Sequence, residues 1–399
     1  MARGLSDEEN INTPLPFQRA GFEGRGVRRA GLAELRLHWG EAPAWLLARM
    51  IPLAREIFRA IYEEYGNREI LARISDPLFF QACSNALGFD WDSSGSTTTT
   101  CYALKAALNS IDVGVKAVGG KGRYAKGAPG ELDALGPVMG LSDGDVGRLK
   151  YASRMTAKVD GAAIQAGYSI YHHALFLGED MEWAVVQQGM NPATRMARRY
   201  HWISDGLTSF VREPHKGIVG QVMHERVLDM TAEASEGARK VCCDLSKEGA
   251  EKVSRLLASI PPAGQTRLGG GALGAPGPAP IEYKVPRRVD WEALEAAYEI
   301  QPRDYEELLA IRGLGPSTVR GLALVAELIY GAAPSWRDPA RFSFAFGGKD
   351  GVPFPVNRRA MDEAIRFLSS AIEESKLESR EKLGALKRLV ALLPDGRIG

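Results

Sequence analysis

"YSIYHHALFL" (Tyr168–Leu177) and "EWAVVQQGM" (Glu182–Met190), joined by "GEDM", decide the fold class. Both runs are rich in β-branched and aromatic residues and the break between them carries turn formers, so the pair reads as a β-hairpin. A two-residue or a four-residue turn gives the same register, with His172 opposite Gln187 and Tyr171 opposite Gln188. Side chains alternate along a strand, so His172 and His173 face opposite ways. A His172–Gln187 pair amid Ile170, Ala174 and Val185 needs mutual hydrogen bonding or a ligand.

The surrounding segments have helical spacing. Ala42–Gly66 places apolar residues three and four apart and stops at glycine. In Asp76–Gly88, Asp76 is placed to cap, Pro77 takes the first helical position and Gly88 ends the run. Cys101–Ser110 and the stretch from Ser142 to Gly167 are also expected to be helical. After the hairpin, "NPATRMARRYHWISDGLTSFV" reads as a helix with Asn191 as cap and Pro192 first. Arg195, Arg199 and Trp202 then share one helix face, beside Arg198 and His201, a pattern suited to a nucleic-acid backbone.

From Ser259 to Pro286 the chain is dominated by Gly and Pro and cannot form a packed element. This divides the 399 residues into a loose arm (1–29), an α+β domain with a small sheet among helices (30–258), a linker (259–286) and an all-α domain (287–399). Hydrophobic content of 45% supports a large core, and a net charge of +1 gives no global field for a polyanion. Four cysteines without a C-x-x-C pair fit a reducing cytoplasm and argue against a structural zinc site. No apolar run approaches a membrane span.

"YEELLAIRGLGPSTVRGLALVAELIYG" (Tyr305–Gly331) is the most specific signal in the chain. A helix runs to Ile311, "GLGP" makes a tight turn, and a second helix starts near Pro316. Gly313 and Gly315 suit a turn that needs positive φ and close approach of a ligand. The first amides of the second helix would face outward and bind a phosphate, with Ser317 and Thr318 at its start and Arg312 and Arg320 at the rim. The stretch resembles the helix-hairpin-helix motif of DNA repair and replication proteins. That resemblance implies sequence-neutral, salt-sensitive binding to the DNA backbone. Glycosylases with this motif carry an aspartate downstream in a Val-Asp context. Here Val356–Asn357 stands there, and no lysine beside the hairpin offers Schiff-base chemistry.

A second cluster is expected between residues 90 and 215. "DWDSSGSTTTT" brings Asp90 and Asp92 next to a hydroxyl run before a helix, one of whose hydroxyls serves as the cap. The surplus, including Thr97, Thr98 and Thr99, suits a phosphate. "VGGKGRYAK" fails as a nucleotide-binding loop, with Val115 at the first glycine position and Gly122 at the Ser/Thr position. It remains a basic contact loop, with Lys116, Lys121, Arg123, Lys126 and an interleaved Tyr124. Candidate catalytic residues are Asp90, Asp92, Asp160, His172 and Gln187; candidate phosphate ligands are Thr97, Thr98, Thr99, Lys121, Arg195 and Arg199. Lys158 and Asp160 are near enough in sequence to pair, and His215 adds a donor near Arg212 and Lys216. A divalent metal is compatible with Asp90, Asp92, Asp160 and Glu179, though their spacing does not make them converge.

An ordered series of segments resembles the uncharacterised family known as domain of unknown function 763. They include "AELRLHWGEAPAWL" (Ala33–Leu46), "GFDWDSSGSTTTT" (Gly88–Thr100), "AKVDGAAIQAGYSIYHHALF" (Ala157–Phe176), "WAVVQQGMNPATRMARRYHW" (Trp183–Trp202), "EPHKGI" (Glu213–Ile218) and "FAFGGKDGVPFPVNRRAMDEAI" (Phe344–Ile365). Trp39, Asp92 and Asn357 depart from the Gly, His and Asp expected at those places. The resemblance implies no established activity. The residues themselves point to a DNA-binding repair or processing enzyme, of phosphodiesterase or base-excision type. The alternatives are a non-enzymatic DNA-binding adaptor and an RNA-processing enzyme.

Overall fold

A computed structural model describes residues 42–89, 94–220, 222–260, 285–340 and 358–390. Asp90, Asp92, Trp39, Asn357 and nearly all of the Gly/Pro segment lie outside them.

The hairpin strands form the middle of a five-stranded antiparallel sheet. In chain order its strands are β1 (Val115–Lys121), β3 (Ser169–Gly178), β4 (Trp183–Asn191), β5 (Met196–Ile203) and β6 (Gly217–Gly220), which is also their spatial order. Two short strands, β2 (Ile164–Gln165) and β7 (Leu228–Asp229), pair separately. Helices cover both faces, so the molecule is an α+β protein in three layers.

One face carries Ala174, Phe176, Ala184, Val186, Ala197 and Val219. It packs on α1 (Ala44–Tyr65), α2 (Asn67–Ser75), α3 (Pro77–Ala86), α4 (Gly95–Asn109) and the C-terminal pair α12 (Arg358–Glu374) and α13 (Ser379–Val390). The other face carries Leu175, Leu177, Val185, Tyr200, Trp202 and Ile218. It packs on α5 (Arg123–Leu135), α6 (Asp143–Lys158), α7 (Glu236–Ser246), α8 (Ala250–Ser259), α9 (Trp291–Ile300), α10 (Tyr305–Ala310) and α11 (Pro316–Leu328). Residues beyond the expected boundary therefore enter both cores. Leu294, Leu308 and Leu322 join the second, and Ile365, Leu368 and Leu389 join the first.

Several local expectations hold for stated reasons. The Asp76 carboxylate accepts from the amides of Leu78 and Phe79, capping α3 with Pro77 in its first turn. Gly66, at φ 83°, ends α1. The helix expected from Ser142 to Gly167 does begin there, on a reciprocal capping box of Ser142 and Asp145, but helical structure ends at Ala163 and Ile164–Gln165 are strand β2.

Three expectations are corrected. The segment after Asn191 is strand β5, not a helix. Asn191 does accept from the amides of Ala193 and Thr194, as a cap would, but those bonds close a turn that leads into β5. The hairpin register is also displaced. Its loop is Glu179–Asp180–Met181, with Met181 left-handed at φ 68° and Gly178 donating to the Glu182 carbonyl. An odd loop moves the pairing by one, so His173 faces Gln187 and His172 faces Gln188. A bulge at Tyr171 restores the expected register beyond it, where Ile170 pairs with Gly189. Finally, the hydroxyl run does not precede α4 but forms its first turns, and Ser94 at the N-cap makes no side-chain capping bond.

Candidate functional site

Alternation along β3, β4 and β5 sorts their polar residues onto the two faces of the sheet. On the helix-α6 face a buried network centres on Asp160, which is fully enclosed. Asp160 lies in one turn of π-helix (Val159–Ala163) that prolongs α6, a distortion that re-aims side chains. Its Oδ2 accepts from Gln187 Nε2 at 2.6 Å and from Trp202 Nε1 at 3.0 Å. Its Oδ1 lies 2.5 Å from His215 Nε2.

The donors fix the direction of the rest. Gln187 spends its amide hydrogens on Asp160, so its Oε1 accepts from His173 Nδ1 at 2.8 Å. His173 Nε2 is then the acceptor for the Ser153 hydroxyl at 2.9 Å. Burial pushes His173 below the usual imidazole range, which suits this neutral tautomer. A carboxylate oxygen only accepts, so His215 Nε2 carries a proton in its contact with Asp160. His215 also packs against Trp202, with ring centroids 4.3 Å apart. It lines a small cleft with Glu213, Asp229 and Thr231. Burial raises the Asp229 carboxyl above its ordinary range, although bonds from Thr231 oppose this.

The opposite face holds His172, Gln188, Arg199 and His201, all buried. Arg199 donates to Gln81 Oε1 at 3.1 Å and lies 4.7 Å over the Phe80 ring. Desolvation lowers this guanidinium to about 9. Thr97 is buried and takes a longer contact from Arg199 at 3.4 Å. Gln188 donates to the Ser94 carbonyl and to the Tyr171 hydroxyl. Both ring nitrogens of His172 lack a partner among the described residues, and burial lowers its pKa to about 3. Thus Asp160 and Gln187 come together, whereas His172 lies across the sheet from them.

Thr98, Thr99 and Lys121 line an open cleft of about 530 Å³ between α4, β1 and α5. Arg195 is exposed in the β4–β5 turn at φ 56° and joins neither cluster. Among the described residues, no three His, Cys, Asp or Glu side chains gather as a metal ion would need.

The α10–α11 turn forms a third feature. Arg312 and Gly313 are exposed, and Gly315 and Ser317 are half-buried. Gly313 adopts φ 87°, and a Cβ there would sit 2.9 Å from Asp290 Oδ2. Gly315 has φ −99°, so its backbone does not require glycine. The Ser317 and Thr318 amides have no hydrogen bond among the described residues. The Thr318 side chain is buried and accepts from the Asp290 amide. Arg320 turns inward, donating to Gln165 Oε1 and lying over Trp336. Lys158 does not pair with Asp160 but reaches the Ile311 carbonyl at 3.0 Å, and Gln165 Nε2 reaches the Pro316 carbonyl at 2.7 Å. The π-helical segment that carries Asp160 is therefore fastened to the turn.

A family model described as protein of unknown function, DUF763, matches residues 31–356. The chain belongs to this family. The match takes in the sheet, the Asp160 network and the α10–α11 turn. No curated protein and no solved structure matches the chain. No helix among the described residues is long and apolar enough to cross a membrane.

Sequence reasoning passed over the pairing of His215 with Asp160, because the two are 55 residues apart. It also passed over the indole of Trp202, assigned to a helix face. Their one local signal is the quoted "EPHKGI" segment, which places a histidine just ahead of a short strand.

Proposed function

We propose that this is a DNA-binding protein that holds the phosphodiester backbone at the α10–α11 turn. One observation carries the reading: a turn exposed at Arg312, Gly313 and Pro316 leads into a helix whose first amides, at half-buried Ser317 and buried Thr318, make no hydrogen bond among the described residues. Such amides and the helix dipole favour an anion. Exposed Arg312 stands on the turn itself. Exposed Arg287 and Arg288 stand on the segment whose Asp290 amide is held by Thr318. The Asp290 carboxylate beside Gly313 is a local cost, which the nearby Lys158 ammonium offsets.

The test is duplex binding as a function of salt. Arg312→Ala should weaken binding to all sequences alike and reduce the salt slope by about 1. Gly315→Val should abolish tight binding while the fold persists, because a Cβ at Gly315 meets nothing closer than 3.7 Å. Unchanged affinity in both variants would overturn the reading.

A processing activity on the held strand is the finer form of the proposal. It is supported by the fastening of the Asp160 segment to the turn through Lys158 and Gln165. Within it, His215 Nδ1 takes the proton of an attacking nucleophile, and Asp160 holds the imidazole in the required tautomer. His215→Gln should then abolish strand processing and leave duplex affinity intact. A variant with unchanged turnover would remove His215 from the chemistry.

A further inference from the structure

The cleft between α4, β1 and α5 has chemistry that neither the α10–α11 turn nor the Asp160 network uses. Two aromatic rings line it: Tyr102 from α4 is 56% exposed, and Tyr124 from the first turn of α5 is 52% exposed. About half of each residue is open to water, and exposed aromatic faces in the wall of a cleft are suited to stacking on a flat ligand.

The backbone beneath the rings is bare. Gly119 and Gly120 line the cleft at φ 87° and 144°. A Cβ on Gly119 would strike the His173 carbonyl at 2.2 Å, and one on Gly120 would press on Tyr124 Cβ at 3.2 Å. Only glycine lets β1 lie this close to β3 while Tyr124 folds over it.

The charge is arranged unevenly. Lys105 is committed to the Gly119 carbonyl and to Glu131, which sits 2.5 Å from its ammonium. Lys121 is exposed and has no ion-pair partner among the described residues. Arg123 is exposed beside it, with its guanidinium 5.1 Å over the Tyr124 ring. Thr98 and Thr99 add hydroxyls to the same wall. Flat aromatic surface, bare backbone and an unpaired cation in about 530 Å³ match a base joined to a phosphate.

We infer that this cleft binds a nucleotide unit, with the base stacked on Tyr102 and Tyr124 and the phosphate at Lys121. The same unit could arrive as a free mononucleotide or as one residue of a single strand. The inference does not depend on the α10–α11 turn and survives if duplex binding there fails.

The experiment uses the full chain and two probes, a short fluorescent oligothymidylate and free thymidine monophosphate. Tyr102→Ala, Tyr124→Ala and Lys121→Ala are compared with wild type and with Gly315→Val. Each altered side chain in the cleft is exposed, so thermal melts should match wild type. Each tyrosine loss should weaken oligothymidylate binding by roughly ten- to a hundredfold. Tyr102→Phe and Lys121→Arg should retain it. Binding of both probes identifies a free nucleotide as sufficient; binding of the strand alone identifies a strand residue. Absence of binding of either probe to wild type overturns the inference. So does oligothymidylate binding that is lost in Gly315→Val but kept in the three cleft variants.

Discussion

His215 Nε2 and Asp160 Oδ1 lie 2.5 Å apart inside the protein, although 55 residues separate them in the chain. The contact joins the loop ahead of β6 to the π-turn after α6. It makes one buried carboxylate the acceptor for three side chains, since Gln187 and Trp202 share the other oxygen.

Removing that carboxylate strands three buried donors. Asp160→Ala should lower the unfolding free energy by about 3–5 kcal/mol, the usual cost of leaving half of a buried pair. Urea unfolding monitored by tryptophan fluorescence would read it, because Trp202 is one of the donors. A change below about 1 kcal/mol would mean that water replaces the carboxylate.

Acid should destabilise the fold through its histidines. Burial depresses His172 to about 3, and His173 and His201 shift in the same direction. A depressed imidazole is neutral when folded and takes up a proton when unfolded. Stability is therefore full above the ordinary value of 6.5 and falls as pH drops toward the folded value. Each such histidine contributes a slope of about 1.4 kcal/mol per pH unit within that window. Urea midpoints between about pH 6.5 and about pH 4.5 should fall steeply, and His172→Leu should flatten the slope by one proton.

How much of this could be read from the chain alone follows from which signals are local. The α10–α11 turn was legible because Gly313, Gly315 and Pro316 punctuate it within four residues. Helix α3 was legible from Asp76–Pro77 for the same reason. Strand β5 was not. Asn191 makes the bonds of a helix cap, and only the β4 and β6 neighbours on either side decide that the chain continues extended. The hairpin register failed on Met181, a non-glycine residue at positive φ that no turn rule anticipates. The members of the polar network were visible as residue types. Which of them share a face depended on that register, and the partnership with His215 depended on the tertiary fold.

The loop that follows α11 is tied to the sheet by a second buried pair. Arg198 donates to both oxygens of Asp338 at 2.9 and 2.6 Å, with both side chains fully enclosed. Asp338→Ala should cost about 3–5 kcal/mol, whereas Arg198→Met combined with Asp338→Leu should cost much less than the two single changes summed. A double-mutant cycle in urea measures the coupling. Strict additivity would show that the pair does not act as a unit.

Thiol chemistry should report global unfolding. Cys83 is fully buried and pushed up to about 12, and burial raises Cys101 and Cys242 as well. Alkylation of these three at neutral pH should be slow in the native protein and fast above the urea midpoint. Rapid native labelling of Cys101 would show that the nucleotide cleft opens more widely than its lining indicates.

The extra residue at Tyr171 acts as a parity bit for the hairpin. Ile170 packs toward one core and His172 toward the other, although ordinary alternation would place them together. Deleting that single residue would send every side chain from His172 to Leu177 into the wrong layer, exchanging two sets of polar groups with different partners. Adding or removing two residues would not. Tolerance to length change at this point should therefore depend on whether the change is odd or even, and not on its size.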